Sequence, residues 1–185
     1  MLFLLVILRI NTADLTAQSI EQTFDFASKQ QSLGHYENAI KAFRRVLFFD
    51  NGTFTVQTLK NLGNCYLNTG EYQKAGYYYD LAYSVVDKRY AKNELSLKKT
   101  LCLILNEEYQ YAKIELFNLP PSLKTEQKQE KYFFLGYIHF KQENFVQSEY
   151  FFTEALGEKF TQEKEKITGL FTKNEKVSKL KPNAA

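Results

Sequence analysis

Aromatic residues stand at Tyr36, Tyr72, Tyr109 and Phe145, spaced 36, 37 and 36 residues apart, and each belongs to the same local pattern. Three residues after each comes a small side chain: Ala39, Ala75, Ala112 and Ser148. Seven after each comes a large one: Phe43, Tyr79, Leu116 and Phe152. Two before each stands Gly34, Gly70, Glu107 or Glu143, and nine before each a small Ala27, Gly63, Thr100 or Gly136. Four registers sharing one period confine the chain to a repeat architecture. In such folds each unit is one supersecondary element that buries its apolar face only against its neighbours.

The stretch LGNCYLNTGEY (62–72) gives the unit its shape. A helical apolar pattern stops at Gly70, which can take the positive φ that ends a helix cheaply, and restarts at Tyr72. Gly70 is thus the corner of a helical hairpin. Glu37, Glu71 and Glu108 fall in the first turn of the helices that follow the corners, where the macrodipole favours negative charge. Small residues such as Gly63 and Ala75 let paired helices approach closely, and Tyr79 or Phe152 fills the gap beside them. The expected first helices cover 20–32, 55–69, 93–105 and 125–141. The expected second helices cover 36–49, 72–86, 108–118 and 145–157, with linkers at 50–53, 87–92 and 120–124. In LCLIL (101–105) and YFFLGYIHF (132–140) apolar residues run nearly all round, which marks helices covered on both sides.

With Leu62-Gly63, Tyr66, Gly70, Tyr72, Ala75, Tyr79 and Ala82 in place, the pattern resembles the tetratricopeptide repeat, a helix–turn–helix unit of about 34 residues. The resemblance covers about 20–158 in four units, near 20–53, 56–89, 93–124 and 125–158. The fourth unit carries Leu135-Gly136 and Ala155. The third departs most, with Lys99-Thr100 for Leu-Gly and Leu119 for Ala. The fold the resemblance implies is an all-α solenoid of stacked hairpins, closed by a C-terminal capping helix at 161–180 with Ile167, Leu170, Phe171, Val177 and Leu180 inside.

Charge narrows the partner class. Residues 18–157 carry 16 basic and 16 acidic side chains, whereas 158–185 carries seven Lys and four Glu. A neutral body lacks the concentrated basic face of a nucleic-acid binder, and the Lys-rich end reads first as a solvated helix and tail. Leu2–Leu8 is an apolar run far shorter than the roughly 20 residues of a membrane span. With Ala13 and Ala17 after it, the run fits a signal peptide over 1–17, so export is expected; retention of 1–17 would instead make the chain a cytoplasmic adaptor.

No phosphate-cradling Gly-rich loop and no zinc-protease helix signature occurs. His35 and His139 are far apart in sequence, and Cys65 and Cys102 occupy equivalent places in successive repeats, about 10 Å apart, too far for a disulfide. Asn51-Gly52-Thr53 has the form of a glycosylation sequon but reads first as a turn. The expectation is a non-enzymatic protein with no cofactor and no metal.

In the family it resembles, first helices line a concave groove that takes an extended or helical segment of another protein. The positions implied are Lys60, Asn64, Leu67 and Asn68 in the second unit, and Leu97, Leu101, Ile104 and Leu105 in the third. In the fourth they are Phe133, Tyr137, Phe140 and Lys141. Lys60 with Asn64 resembles half of a carboxylate clamp, but Glu94 and Leu97 stand where its other basic half belongs, with Lys98 nearby. The function expected is a protein–protein interaction scaffold. The rival is a membrane-associated structural module whose Lys-rich end leads to a bilayer or to a missing membrane segment.

Overall fold

The computed structural model describes residues 20–156, and every regular element in that span is an α-helix. Helix α1 covers 20–32. It is followed by α2 (Tyr36–Phe49), α3 (Thr55–Asn68), α4 (Tyr72–Val85), α5 (Arg89–Leu105), α6 (Tyr109–Asn118), α7 (Thr125–Lys141) and α8 (Phe145–Leu156). Two compact units divide the chain, the first ending at Leu123 and the second starting at Lys124. In unit 1 the helices pack in chain order, α2 on α3, α3 on α4, α4 on α5 and α5 on α6. In unit 2, α7 packs on α8. The architecture is the expected all-α one, helical hairpins repeated along the chain in the manner of an α-solenoid. The segment 1–17 and the capping helix expected at 161–180 lie outside the described residues.

All four hairpins turn the same corner. Gly34 and Gly70 have φ of +77° and +81°, and Glu107 and Glu143 take the same left-handed conformation at +62° and +60°. The next N–H in each case reaches back five residues to a carbonyl: His35 to Gln30 at 2.9 Å, Glu71 to Tyr66 at 2.9 Å, Glu108 to Leu103 at 2.8 Å and Asn144 to His139 at 2.9 Å. These bonds satisfy carbonyls that the ending helix leaves unpaired. They also place the aromatic of the next helix in a fixed register, which is why the sequence period is so regular.

The core repeats as well. Ala27, Thr100 and the large Phe43, Tyr79, Leu116 and Phe152 are all buried, as are Gly63 and Gly136. The two glycines stand opposite rings, with no room for a side chain between. The larger Thr100 occupies the same register in the third hairpin, where the later position is Leu116 rather than an aromatic. Volume is conserved across the pair, so the third hairpin departs from the pattern without losing its packing. Lys99 joins three helices of unit 1, its ammonium 3.0 Å from Asp80 on α4 and 2.9 Å from Glu115 on α6.

Two expectations need correction. Helix α5 begins at Arg89, not 93, and absorbs most of the expected 87–92 linker. Its first turn, Arg89–Lys92, is mostly polar and so carries little of the apolar pattern that marks the rest of the helix. Glu71 and Glu108 are the N-caps of α4 and α6 rather than residues of the first turn. Glu37 does lie in the first turn of α2. The 50–54 linker is held by Asp50, whose carboxylate accepts from the Phe54 N–H at 3.0 and 3.1 Å and from the Thr55 hydroxyl at 2.6 Å.

Candidate functional site

The first helices α3 and α5 of unit 1 are joined directly by polar side chains. Lys60 forms an ion pair with Glu94 at 2.6 Å. Four residues on, Asn64 Oδ1 accepts a hydrogen bond from the Tyr79 hydroxyl at 2.8 Å and lies 3.5 Å from the Lys98 ammonium. Lys98 also sits over the Tyr79 ring, 5.7 Å from its centroid. Each pair, Lys60 with Glu94 and Asn64 with Lys98, spans 34 residues, three fewer than the 37 between equivalent positions of these two units, so α3 meets α5 at residues that precede its like positions by nearly one turn.

These contacts reassign the roles suggested by sequence. Lys60 is spoken for by Glu94, and a partly exposed pair of this kind contributes at most about 1 kcal/mol to stability. Its consequence is electrostatic: Lys60 no longer offers a free charge. Lys98 has no carboxylate partner among the described residues and is the cation this face presents. Tyr79 holds Asn64 in place. Burial pushes the Tyr79 phenol far above its usual range, with Cys102, Cys65 and Glu94 adding to the effect, so it remains a donor.

The other expected groove residues divide. Leu67 and Leu101 are half-buried, Asn68 is exposed, and Leu105 is 40% exposed. Asn68 Nδ2 donates to the Asn64 carbonyl at 2.8 Å. Leu97 and Ile104, by contrast, are only 1% and 4% exposed. Helix α5 is apolar on more than one face, and these two side chains belong to its covered part. In unit 2, Phe133, Tyr137, Phe140 and Lys141 are half-buried on α7. The Phe133 ring lies 5.4 Å from that of Phe152, and Phe140 lies 6.0 Å from Phe145, so both rings pack on α8 within their own hairpin.

Two crevices of about 280 Å³ each open elsewhere in unit 1, one beside Tyr77, Cys102 and Leu103, the other beside Tyr83, Asn93 and Glu115. None of the expected groove residues lines either.

Cys65 and Cys102 are buried free thiols. Burial pushes them up to about 11 and about 12, against the opposing charge of Lys98 in the case of Cys102. Neither has the lowered pKa of a reactive cysteine. His139 stacks on Phe151 with ring centroids 5.3 Å apart, and His35 Nδ1 lies 3.1 Å from Gln30 Oε1 in the first corner. Among the described residues no three His, Cys, Asp or Glu side chains gather where they could hold a metal ion. No described helix is long and apolar enough to cross a membrane. No protein-family model matches the sequence, and no curated protein matches it either.

Proposed function

We propose that this chain is a non-enzymatic interaction module of the tetratricopeptide type, and that a segment of another protein lies along the α3/α5 face. One observation carries the reading: Lys98 presents an ammonium with no acid partner among the described residues, beside an Asn64 whose side-chain oxygen Oδ1 already accepts from the Tyr79 hydroxyl. The Asn64 amide N–H groups and the Lys98 ammonium are then two donors suited to the same acceptor class. A carboxylate, from an acidic side chain or a chain end, fits them. Leu67, Leu101 and Leu105 supply apolar contact along the same helices, so the segment that fits best places an apolar side chain next to its acid.

The test is site-specific photo-crosslinking in the native host. A photoreactive residue replaces Asn68, exposed at the end of α3, and in a second protein it replaces Gln73, exposed on α4. The reading expects one protein partner captured from position 68 and not from 73. Equal capture from both positions, or capture from 73 alone, removes the α3/α5 face as the site.

A further inference from the structure

A different face of unit 1 carries a second surface. Along α2, Lys41, Arg44, Arg45 and Phe48 follow one another at helical spacing of three, four and seven, which puts them in one stripe. All four are exposed, while Ala39, Ile40, Ala42, Phe43 and Val46 form the buried stripe opposite. An outward stripe of this kind is ordinarily polar throughout. Here it ends in Phe48, 80% exposed, with Phe49 beside it at 58%. The two rings touch edge to face at 4.8 Å.

The cations of this stripe are unspent. Lys41, Arg44 and Arg45 take part in no ion pair among the described residues. Asp50, next to Phe49, turns its carboxylate to the Phe54 N–H and the Thr55 hydroxyl. Glu37, one turn ahead of Lys41, is the single acid on α2. An aromatic tip with a basic collar therefore projects from the end of the helix.

We propose that this end of α2 docks on a lipid bilayer bearing anionic headgroups. The guanidinium groups of Arg44 and Arg45 match phosphate in geometry and charge. Phe48 and Phe49 enter the boundary between headgroups and acyl chains, as the apolar residues of interfacial helices do. A bilayer accepts a protruding ring without a preformed pocket, whereas a protein partner would have to provide one. The attachment is peripheral and independent of the α3/α5 face.

The experiment is sedimentation of the full chain with vesicles of phosphatidylcholine alone and of phosphatidylcholine mixed with phosphatidylserine. Binding is expected only to the mixed vesicles and should weaken as salt rises. Each cation near such a surface contributes roughly fivefold to binding. Arg44→Gln with Arg45→Gln should therefore bind roughly thirtyfold more weakly, and Phe48→Ser with Phe49→Ser should also lose binding. Thermal unfolding of both variants should match the parent, because the side chains are exposed. The chain has no Trp, so Phe48→Trp adds a single reporter whose emission should shift to the blue on mixed vesicles. Three results overturn the proposal. The first is no binding to mixed vesicles, including a case where polyglutamate binds through Arg44 and Arg45 and an acidic protein is the better occupant. The second is binding that survives the Arg and Phe variants, which assigns it to the Lys-rich 158–185. The third is equal binding to both vesicle types.

Discussion

A Cβ placed on Gly63 would lie 2.5 Å from Cε1 of Tyr79, a separation that real side chains do not reach. The Tyr79 ring occupies the space a side chain at 63 would need, and this lets α3 and α4 pack backbone against ring. Gly136 and Phe152 repeat the relationship in unit 2, at 2.7 Å. Gly63→Ala and Gly136→Ala should each destabilise the protein by about 1–3 kcal/mol, the usual cost of overpacking. Urea unfolding measures this. A smaller ring-position residue should rescue: Gly63→Ala with Tyr79→Leu should lose less than the sum of its parts.

Much of the hairpin fold was legible because this packing leaves a signature. A glycine nine residues before an aromatic can be read directly, and so can the small residue three after it. The start of α5 was not legible, because it falls at Arg89, inside the mostly polar stretch DKRYAK that reads as a linker. The candidate face was half legible. Lys60 and Asn64 could be placed, but their partners Glu94 and Lys98 depend on how one repeat stacks on the next. Burial of Leu97 and Ile104 was hidden for a related reason: a helix apolar on several sides does not say which side is covered.

The corners at Glu107 and Glu143 carry a cost that Gly34 and Gly70 avoid. A side-chain-bearing residue in the left-handed region costs roughly 1–2 kcal/mol, against about 0.5–1 kcal/mol of extra unfolded-state entropy for glycine. Glu107→Gly should therefore stabilise unit 1 by about 0.5–1 kcal/mol. Gly70→Ala should do the reverse by a similar amount. Both are read as shifts of the urea midpoint at constant slope.

Thr58 is fully buried on α3, and its hydroxyl oxygen has no hydrogen-bond partner. A polar group left unpaired in a core costs about 1–3 kcal/mol, and replacing it with an apolar group of the same shape removes that cost. Thr58→Val should raise stability by about 1 kcal/mol, and Thr58→Ala should lower it by opening a cavity. A loss of stability in the valine variant would show that the hydroxyl is satisfied.

Cys65 and Cys102 make stability fall in alkali. Their folded pKa values, about 11 and about 12, lie above the unfolded value of 9.0. Below pH 9 both states keep the proton and nothing is lost. Above it the unfolded chain releases protons the folded chain holds, so stability declines as pH rises toward the folded values. Each thiol contributes about 1.4 kcal/mol per pH unit in that window. The double variant Cys65→Ala with Cys102→Ala should be less stable at neutral pH yet flatter between pH 9 and about 11. The native thiols should also resist alkylation at neutral pH until the protein unfolds.

Lys60 on α3 and Lys98 on α5 belong to the same face but should respond differently to substitution. Lys60 is neutralised by Glu94 at 2.6 Å, while Lys98 meets only the Asn64 oxygen and the Tyr79 ring. For a partner that brings a carboxylate to this face, Lys98→Ala should weaken binding tenfold or more, in line with loss of a charge-assisted hydrogen bond of about 1.5–3 kcal/mol. Lys60→Ala should change little, because the charge it removes was already paired, and it leaves Glu94 free to repel the same carboxylate only at longer range. Glu94→Gln should strengthen binding by releasing Lys60 to act alongside Lys98. Isothermal titration with the crosslinked partner's segment, at low and high salt, separates these cases. Thermal unfolding should shift only slightly for Lys98→Ala, since loss of a cation over a ring costs about 0.5–1 kcal/mol at an accessible site. Equal losses for Lys60→Ala and Lys98→Ala would mean that the ion pair opens on binding and both lysines hold the partner. No loss for Lys98→Ala would remove the acid from the description of the partner and leave only the apolar contacts of Leu67, Leu101 and Leu105.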